Sequence, residues 1–274
     1  MPRRWSTLER DLRETRGPLL AGVDEVGRGP LAGPVVACAV VLPPDLRAIR
    51  GVDDSKELDG PEREKLAKRI RERALALGIG AASVREIDRI NIYHAAVLAI
   101  RRAILRLPVS PHHVLIDGNP IRSLGVEHTA VVGGDACCHS IACASIVAKV
   151  TRDRLMRALA KRHPHYRWET NVGYGTADHH AGLASHGITP HHRRSFSPVQ
   201  LALALSVAPP AEAPALAAAL QDLLEPELMA SLQDGSSLEA TPADAPTADE
   251  STADVSLQDL SLPDLPPLIL PPPP

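Results

Sequence analysis

The chain has 274 residues, enough for one large domain or two small ones, and its 44% apolar content suits a packed core. The net charge of −3 hides an asymmetry, because residues 1–200 hold all 30 Lys and Arg but only 21 of the 33 acids, a balance of +9. That surplus suits a polyanionic partner such as nucleic acid, although a merely solubilising surface would carry the same sign. With no apolar run of about 18 residues and no expected signal peptide, the composition argues against membrane-spanning and disulfide-rich secreted proteins.

Short apolar runs and turn residues predict alternating strands and helices, which is typical of an α/β fold with a sheet flanked by helices. Pro, Gly and capping residues mark where the elements end. In chain order we expect a helix at Thr7–Thr15, strands at Leu19–Asp24 and Val35–Leu42, a helix from Asp59 or Gly60 to Leu77, a strand at Ile79–Val84, a helix at Ile90–Leu107, strands at His113–Asp117 and Glu127–Val132, and a long helix from Ser140 to Arg162.

The last third of the chain has a different character. Residues 163–198 are expected to be irregular and basic, apart from a short helix near Ala177–His186. After about residue 205 the composition turns to Pro, Ala, Asp, Ser and Leu, without Lys, Arg or His. Apart from one amphipathic helix at Ala211–Ala230, this acidic tail is expected to be disordered. We therefore predict a polar extension at 1–17, a folded domain at 18–204 and a low-complexity tail at 205–274.

Acids stand at the ends of three predicted strands. Asp24 and Glu25 follow the first apolar run, and buried carboxylates are costly unless a cation meets them. Asp117 and Asp135 follow two later strands, and functional groups in α/β sheets gather at strand ends. Carboxylate oxygens suit a hard cation such as Mg²⁺ or Mn²⁺, and four of them at one edge would hold two ions. This pattern favours phosphodiester hydrolysis.

Each acid also has an ordinary structural explanation. The stretch around Asp24 could be a β-hairpin with a charged turn. Asp117 could form an Asx-turn before Gly118, and Asp135 could lie in the cap region of the next helix. Each explanation is plausible alone, but all of them holding together is the weaker hypothesis.

A glycine-rich turn follows the acid pair. Gly27, Arg28 and Gly29 combine a permanent positive charge with backbone that can approach a ligand closely. Acids that can bind a metal thus stand beside an arginine and an accessible stretch of backbone. This combination again favours a reaction at a phosphate group.

Seven motifs follow one another between about Leu19 and Val199. They are Asp24–Gly29 (DEVGRG), Asp53–Lys56 (DDSK), Ile116–Asn119 (IDGN), Gly134-Asp135, Ser140–Asp153 (SIACASIVAKVTRD), Gly173–Thr176 (GYGT) and His192–Phe196 (HRRSF). Together they closely resemble bacterial ribonuclease HII, the type 2 ribonuclease H.

The resemblance implies an RNase H-like fold, with a central mixed β-sheet flanked by helices, and a catalytic domain at 18–204. It implies an endonuclease that cleaves the RNA strand of RNA–DNA hybrids and incises 5′ of ribonucleotides embedded in duplex DNA. The products would carry a 5′-phosphate and a 3′-hydroxyl, and the cofactor would be two Mn²⁺ or Mg²⁺ ions. The expected setting is genome maintenance in the cytoplasm, by a monomer.

The same resemblance assigns roles to residues. The catalytic and metal-binding acids are Asp24, Glu25, Asp117 and Asp135. The turn of Gly27, Arg28 and Gly29 would contact the ribose 2′-OH and adjoining phosphates. Tyr174 would pack on the sugar of the following deoxynucleotide, although a core or turn tyrosine is the ordinary alternative.

Further basic residues are expected to contact the nucleic-acid backbone. Lys56 belongs to the DDSK loop, and Arg193 and Arg194 form a basic cluster with two preceding histidines. Lys149 could contact phosphate or form an ion pair with Asp153, four residues later in the same helix.

The chain departs from the family pattern at Gly133 and Val172, where members commonly carry lysine. The loss of these two lysines concerns the affinity for phosphate rather than catalysis.

Two alternative functions stay open, namely a hybrid-binding module without turnover and a nuclease of the same fold with another substrate, such as a DNA junction. The four acids argue against the first, because they would repel the nucleic-acid backbone without a cation. The tail could compete with nucleic acid or dock a protein partner.

Overall fold

A five-stranded mixed sheet forms the centre of the computed structural model, which describes residues 5–52 and 59–207. Its strands are β1 (Leu20–Val26), β2 (Val35–Val41), β3 (Ala76–Ala82), β4 (His113–Asp117) and β5 (His128–Val131). The helices are α1 (Thr7–Thr15), α2 (Gly60–Arg73), α3 (Val84–Leu105), α4 (Gly134–Cys137), α5 (His139–Arg162), α6 (Trp168–Asn171), α7 (Ala177–His186) and α8 (Ser197–Val207), with 3₁₀ turns at Arg122–Leu124 and Pro164–Tyr166.

The strand order is β3-β2-β1-β4-β5. The first three strands form an antiparallel meander, whereas β4 and β5 continue the sheet parallel to β1. This confirms the α/β class that the sequence pattern predicted and the central mixed sheet with flanking helices that the family resemblance implied.

Side-chain alternation along β2 divides the core between the two faces of the sheet. Val35, Ala37, Ala39 and Val41 pack in one cluster with residues of α3. The intervening Cys38 and Val40 pack in a second cluster with α5 and α2. Both faces of β2 are therefore covered, which explains why this strand is apolar throughout instead of alternating with polar residues.

Helix α5 lies close to β1 at Gly22. A Cβ atom at this glycine would overlap the backbone of Ser140, so only glycine permits the approach. The predicted small side chains of α5 serve this packing, because Ala142, Ala144 and Ser145 are all buried.

Helix α1 belongs to the compact body that the contacts define, although its residues were predicted to form a polar extension. Its Glu9 is fully buried. One carboxylate oxygen accepts from the N–H and hydroxyl of Ser140, at 2.8 and 2.7 Å, and the other accepts from the N–H of His139 at 3.1 Å. Glu9 thus caps the N-terminus of α5, where a negative charge is stabilised.

Several predicted boundaries were wrong. The strand expected at Ile79–Val84 is Ala76–Ala82, because pairing with β2 runs from Ala76 to Ala82. The helix expected at Ile90–Leu107 starts earlier, since Ser83 and Glu86 form a capping box, and it is interrupted at Asn91, whose φ is 62°.

The segment 163–198 was predicted to be irregular outside α7, yet it contains a 3₁₀ turn and α6, and α8 begins within it. A buried cluster of Tyr166, Trp168 and Leu183 organises it. The Asp53–Lys56 motif and the predicted helix Ala211–Ala230 lie outside the described residues. In the part of the chain that is described, no helix has both the length and the apolar character needed to cross a membrane.

Candidate active site and nucleic-acid interface

Asp24 and Asp117 occupy equivalent positions on neighbouring parallel strands. The pairing aligns Val23 with Ile116, so the two acids are the next residues along β1 and β4. Val23 and Ile116 both pack in the core on the α3 side of the sheet. Because side chains alternate along a strand, Asp24 and Asp117 both face the α5 side. The fold therefore brings two of the predicted acids to the same face of the sheet, near the C-terminal ends of β1 and β4.

Asp24 is buried, with 6% of its surface exposed. It accepts a 2.7 Å hydrogen bond from the N–H of Glu25 and another from the hydroxyl of Ser145 on α5. Burial raises the pKa of Asp24 well above its ordinary value, and the nearby carboxylates of Glu25 and Asp117 raise it further. This carboxylate thus lies where a positive charge is most favourable.

Asp135 lies in α4, close to Asp117. The N–H of Gly134 donates a 2.7 Å hydrogen bond to Oδ1 of Asp117, which joins the start of α4 to the end of β4. Asp135 is 7% exposed. Burial is the first cause of the raised pKa of Asp117, and the charge of Asp135 is the second.

Glu25 has a cationic neighbour within the turn. Nη1 of Arg28 lies 3.5 Å from its carboxylate, and the Arg28 side chain remains 55% exposed. Burial raises the pKa of Glu25, Arg28 opposes this increase, and Asp117 adds to it. Arg28 can thus interact with the acid and still reach a ligand in solvent.

The four acids share a hard-oxygen donor chemistry that fits a divalent cation, and their mutual repulsion is the physical sign of that fit. Within residues 5–52 and 59–207, however, no three potential ligand side chains are close enough to form a ready-made coordination shell.

The glycine turn and Tyr174 are neighbours in space, although about 145 residues separate them in sequence. A Cβ atom at Gly29 would lie 3.6 Å from Cε1 of Tyr174. Tyr174 is 48% exposed, which argues against the ordinary explanation of a core tyrosine. Gly27 has a φ of 91° and lies against Arg152, so its conformation requires glycine.

Arg193 does not have the solvent-facing position expected for a DNA-backbone contact. It is fully buried, and its guanidinium donates to the carbonyls of Gly27, Arg28 and Gly33. The reason is that His192 and Arg193 lie against the loop that carries the turn: His192 forms a β-bridge with Ala32, and both side chains are buried there. Arg194 is exposed, as expected, and its backbone N–H bonds to Asp88.

His192 is also buried and belongs to a hydrogen-bonded aromatic group. Nε1 of Trp168 donates to Nε2 of His179 at 3.1 Å, and Nε2 of His192 lies 3.0 Å from the same nitrogen. Nδ1 of His179 is 2.9 Å from the carbonyl of Tyr174. Because the shared nitrogen of His179 accepts, its Nδ1 carries the proton and donates to that carbonyl.

Of the other predicted contacts, Lys149 forms the ion pair with Asp153, at 2.6 Å, which was one of its two expected roles. Lys56 lies outside the described residues. Two residues that contribute to the site received no role from the sequence, namely Ser145, which bonds to Asp24, and Arg152, which is buried under the turn. Arg152 stands in the charged half of α5, between Lys149 and Arg154, so the sequence offered no signal that it would be buried.

Comparison with known proteins agrees with this arrangement. A family model described as Ribonuclease HII matches residues 21–199. Ribonuclease HII of Granulibacter bethesdensis is 54% identical over 198 residues, which cover 71% of this chain and 90% of that protein. Ribonuclease HII of an Acidovorax species is 52% identical over 209 residues, covering 76% and 100%.

The fold is similarly shared. The crystal structure of the ribonuclease H2 from Pyrococcus horikoshii OT3 superposes with a TM-score of 0.55 at 25% identity, and the match covers 67% of this chain and 96% of that one. The family match spans more than half of the chain and includes all four predicted acids. The chain therefore belongs to the ribonuclease HII family and is a ribonuclease H, an endonuclease that acts on RNA–DNA hybrids.

Proposed function

We propose that this ribonuclease H incises duplex DNA on the 5′ side of an embedded ribonucleotide, and that two divalent ions at the acid cluster support the reaction. The observation that carries the proposal is the position of Tyr174 beside Gly29, in a turn that begins two residues after Glu25. A surface that can contact a sugar thus adjoins the carboxylates that suit a metal.

Asp24, Glu25, Asp117 and Asp135 would hold the ions, and either Mn²⁺ or Mg²⁺ suits these oxygen donors. When bound, two such ions lower the pKa of a water and neutralise the negative charge that develops on the phosphate. Three of these acids lie near the C-terminal ends of β1 and β4, and Asp135 lies at the start of α4. The ions would also relieve the repulsion that raises the pKa values of Asp24 and Asp117.

The ribose 2′-OH acts in this proposal as a recognition group. Hydrolysis on the 5′ side of a ribonucleotide breaks the bond to the 3′-oxygen of the preceding nucleotide, and that oxygen leaves as a hydroxyl. The phosphate stays on the ribonucleotide, whose own 2′-OH adjoins the phosphate on its other side. The 2′-OH is therefore available to the turn and to Tyr174, and it distinguishes RNA from DNA.

Charge supports a nucleic-acid duplex as the partner. Residues 1–200 carry a surplus of nine positive charges. Arg28 and Arg194 are exposed. Since Arg193 is buried, these two arginines remain as the described residues predicted to contact the nucleic-acid backbone. The predicted role of Lys56 and the interaction of the acidic tail with a partner stay predictions, because both regions lie outside the described residues.

A substrate comparison tests this function. The protein is incubated with an all-DNA duplex, an all-RNA duplex, an RNA–DNA hybrid and a DNA duplex with one ribonucleotide, each with Mn²⁺, with Mg²⁺ or with a chelator. We expect cleavage of the last two only, dependence on the ion, and a 5′-phosphate at the ribonucleotide. An intact single-ribonucleotide duplex under conditions where the hybrid is cut would overturn the proposed incision.

A further inference from the structure

Two arginines are buried beneath the glycine turn. Arg152 of α5 is 1% exposed and Arg193 is fully buried. Burying a charge is costly unless hydrogen bonds compensate it, and in the described part of the chain neither guanidinium pairs with a carboxylate. Burial lowers the pKa of Arg152 to about 10 and that of Arg193 to about 9, so both remain charged at neutral pH. Backbone carbonyls are their partners.

Arg193 holds both ends of the loop that connects β1 to β2. Nη2 donates to the carbonyl of Gly27 at 2.5 Å, and Nη1 donates to that of Arg28 at 2.7 Å. Nε and Nη2 both donate to the carbonyl of Gly33, at 3.0 and 2.9 Å. One planar guanidinium thereby fixes three peptide groups of the loop.

Arg152 joins the same loop to the segment that carries Tyr174. Its Nη2 and Nε donate to the carbonyls of Ala32 and Pro34, at 3.1 and 3.0 Å. Its Nη1 donates to the carbonyl of Val172 at 3.0 Å, two residues before Tyr174. The turn and the tyrosine are therefore held by one buried side chain.

These bonds determine where the N–H groups of the turn point. In a planar trans peptide the carbonyl of one residue and the N–H of the next point in opposite directions. The carbonyls of Gly27 and Arg28 point inward to Arg193, so the N–H groups of Arg28 and Gly29 point away from it. Within residues 5–52 and 59–207 neither N–H donates a hydrogen bond to the protein. Both are available to an acceptor on a ligand.

We propose that Arg193 and Arg152 are positioning residues for substrate selection, which present the N–H groups of Arg28 and Gly29 and the ring of Tyr174 to the sugar–phosphate backbone at the ribonucleotide. This inference rests on the proposed function, because it assigns the elements that select the ribonucleotide. The two arginines touch no substrate themselves. They act through the backbone, with a fork of donors that lysine cannot reproduce.

The variant Arg193→Lys tests the proposal. It keeps the charge but cannot bind three carbonyls at once, so the turn should lose its orientation while the acids stay in place. We expect KM for the single-ribonucleotide duplex to rise about tenfold or more, and kcat to stay within about threefold. A purely structural role would instead lower the fraction of folded enzyme and leave KM unchanged. Wild-type KM in a folded variant would overturn the proposal.

Selectivity gives a second readout and Arg102→Lys the matched control. Arg102 also bonds to a carbonyl, that of Ala81, but it lies on α3 next to Glu86. In the Asp117→Asn background, which is expected to cleave on the order of 100-fold more slowly, Arg193→Lys should reduce the binding preference for a ribonucleotide duplex over an all-DNA duplex about tenfold. Arg102→Lys should leave the preference unchanged. An equal loss in both variants would contradict a specific role for Arg193.

A measurement without any arginine variant keeps the test independent of folding. Backbone amide NMR signals of Arg28 and Gly29 should shift when the Asp117→Asn protein binds a ribonucleotide duplex, and shift less with an all-DNA duplex. Unchanged signals at both residues in a saturated complex would overturn the proposal. The failure of the proposed function looks different, because the wild-type protein would then not cut the single-ribonucleotide duplex at all.

Discussion

Oδ1 of Asp117 accepts a 2.7 Å hydrogen bond from the N–H of Gly134, the residue directly before Asp135. This bond connects the end of β4 to the start of α4 and brings a second carboxylate toward the first. The charge of Asp135 raises the pKa of Asp117, so the arrangement is electrostatically unfavourable in the free protein. The backbone thus holds the two carboxylates close together against their repulsion, which a bound cation would reduce.

Replacing Asp117 by asparagine should separate catalysis from folding. The amide oxygen of Asn can still accept from Gly134, but one negative charge of the cluster is lost. We expect the rate of cleavage of an RNA–DNA hybrid to fall on the order of 100-fold or more, which corresponds to about 2.7 kcal/mol. The melting temperature should stay equal or rise, because repulsion with Asp24 and Asp135 decreases. The exposed Asp45, replaced by Asn, is the control, and wild-type cleavage by Asp117→Asn would contradict the assignment.

The two glycines of the turn should respond differently to alanine. Gly27 has a φ of 91°, and a Cβ atom there would overlap the guanidinium of Arg152. We expect Gly27→Ala to lower the free energy of unfolding by about 2–4 kcal/mol. At Gly29 the new methyl group would meet only Tyr174, at an ordinary 3.6 Å. Gly29→Ala should therefore fold with nearly wild-type stability and raise KM about tenfold, because the methyl group lies between the turn and the substrate.

Chemical denaturation and steady-state kinetics measure both effects. Gly60→Ala, at a position where a Cβ atom would meet nothing within 4 Å, serves as the control for the substitution itself. If Gly29→Ala had the KM of the wild-type enzyme, the turn would not contact the substrate at this residue.

Local signals account for the parts of the fold that the sequence predicted well. The predicted bounds of α1, β4 and α7 agree with the structure residue for residue. Their ends coincide with local signals, namely Ser6 and Thr176 as N-caps and Gly118 after β4. The placement of Asp24, Glu25 and Asp117 near strand ends was also predictable, because the apolar runs of β1 and β4 are followed directly by these acids in the sequence. Asp135 lies instead in α4, four residues after β5 ends.

What the sequence could not show depends on contacts between distant segments. Arg193 was expected on the surface because it stands in a basic run, yet its carbonyl partners lie about 160 residues earlier. Glu9 similarly finds its donors at His139 and Ser140. Polar residues usually lie on the protein surface. A polar residue that is buried and fully hydrogen-bonded therefore cannot be recognised from the sequence before its partners have been located in the fold.

Metal binding should stabilise the protein more at high pH than at low pH. Burial and neighbouring charges raise the pKa values of Asp24, Glu25 and Asp117 above those in the unfolded chain. The folded state therefore holds protons more tightly, and the free energy of unfolding decreases as pH rises from the ordinary aspartate value of 3.8 through the raised pKa. A divalent ion binds the ionised carboxylates and reduces their mutual repulsion. It therefore restores the free energy of unfolding that the repulsion removes.

Thermal melting with Mg²⁺ or with a chelator measures this linkage. We expect the ion to raise the melting temperature more at about pH 8 than at about pH 5, because protons compete with the ion at the lower pH. Asp24→Asn should reduce the increase at the higher pH. An increase of the same size at both pH values would mean that the ion binds away from these acids.

Glu9→Gln should destabilise the protein without touching the site chemistry. The buried carboxylate accepts hydrogen bonds from the N–H groups of Ser6, His139 and Ser140, and an amide group would turn its own N–H donors toward some of them. Losing the charge at the N-terminus of α5 adds to the cost, so we expect a decrease of about 2–4 kcal/mol in the free energy of unfolding. Glu14→Gln, an exposed position on the same helix, should change it by less than about 0.5 kcal/mol. Denaturant titrations of both variants check this expectation. Equal free energies of unfolding would show that α1 does not anchor α5. A decrease confined to Glu9→Gln, with unchanged KM, would establish that the N-terminal helix is part of the folded nuclease.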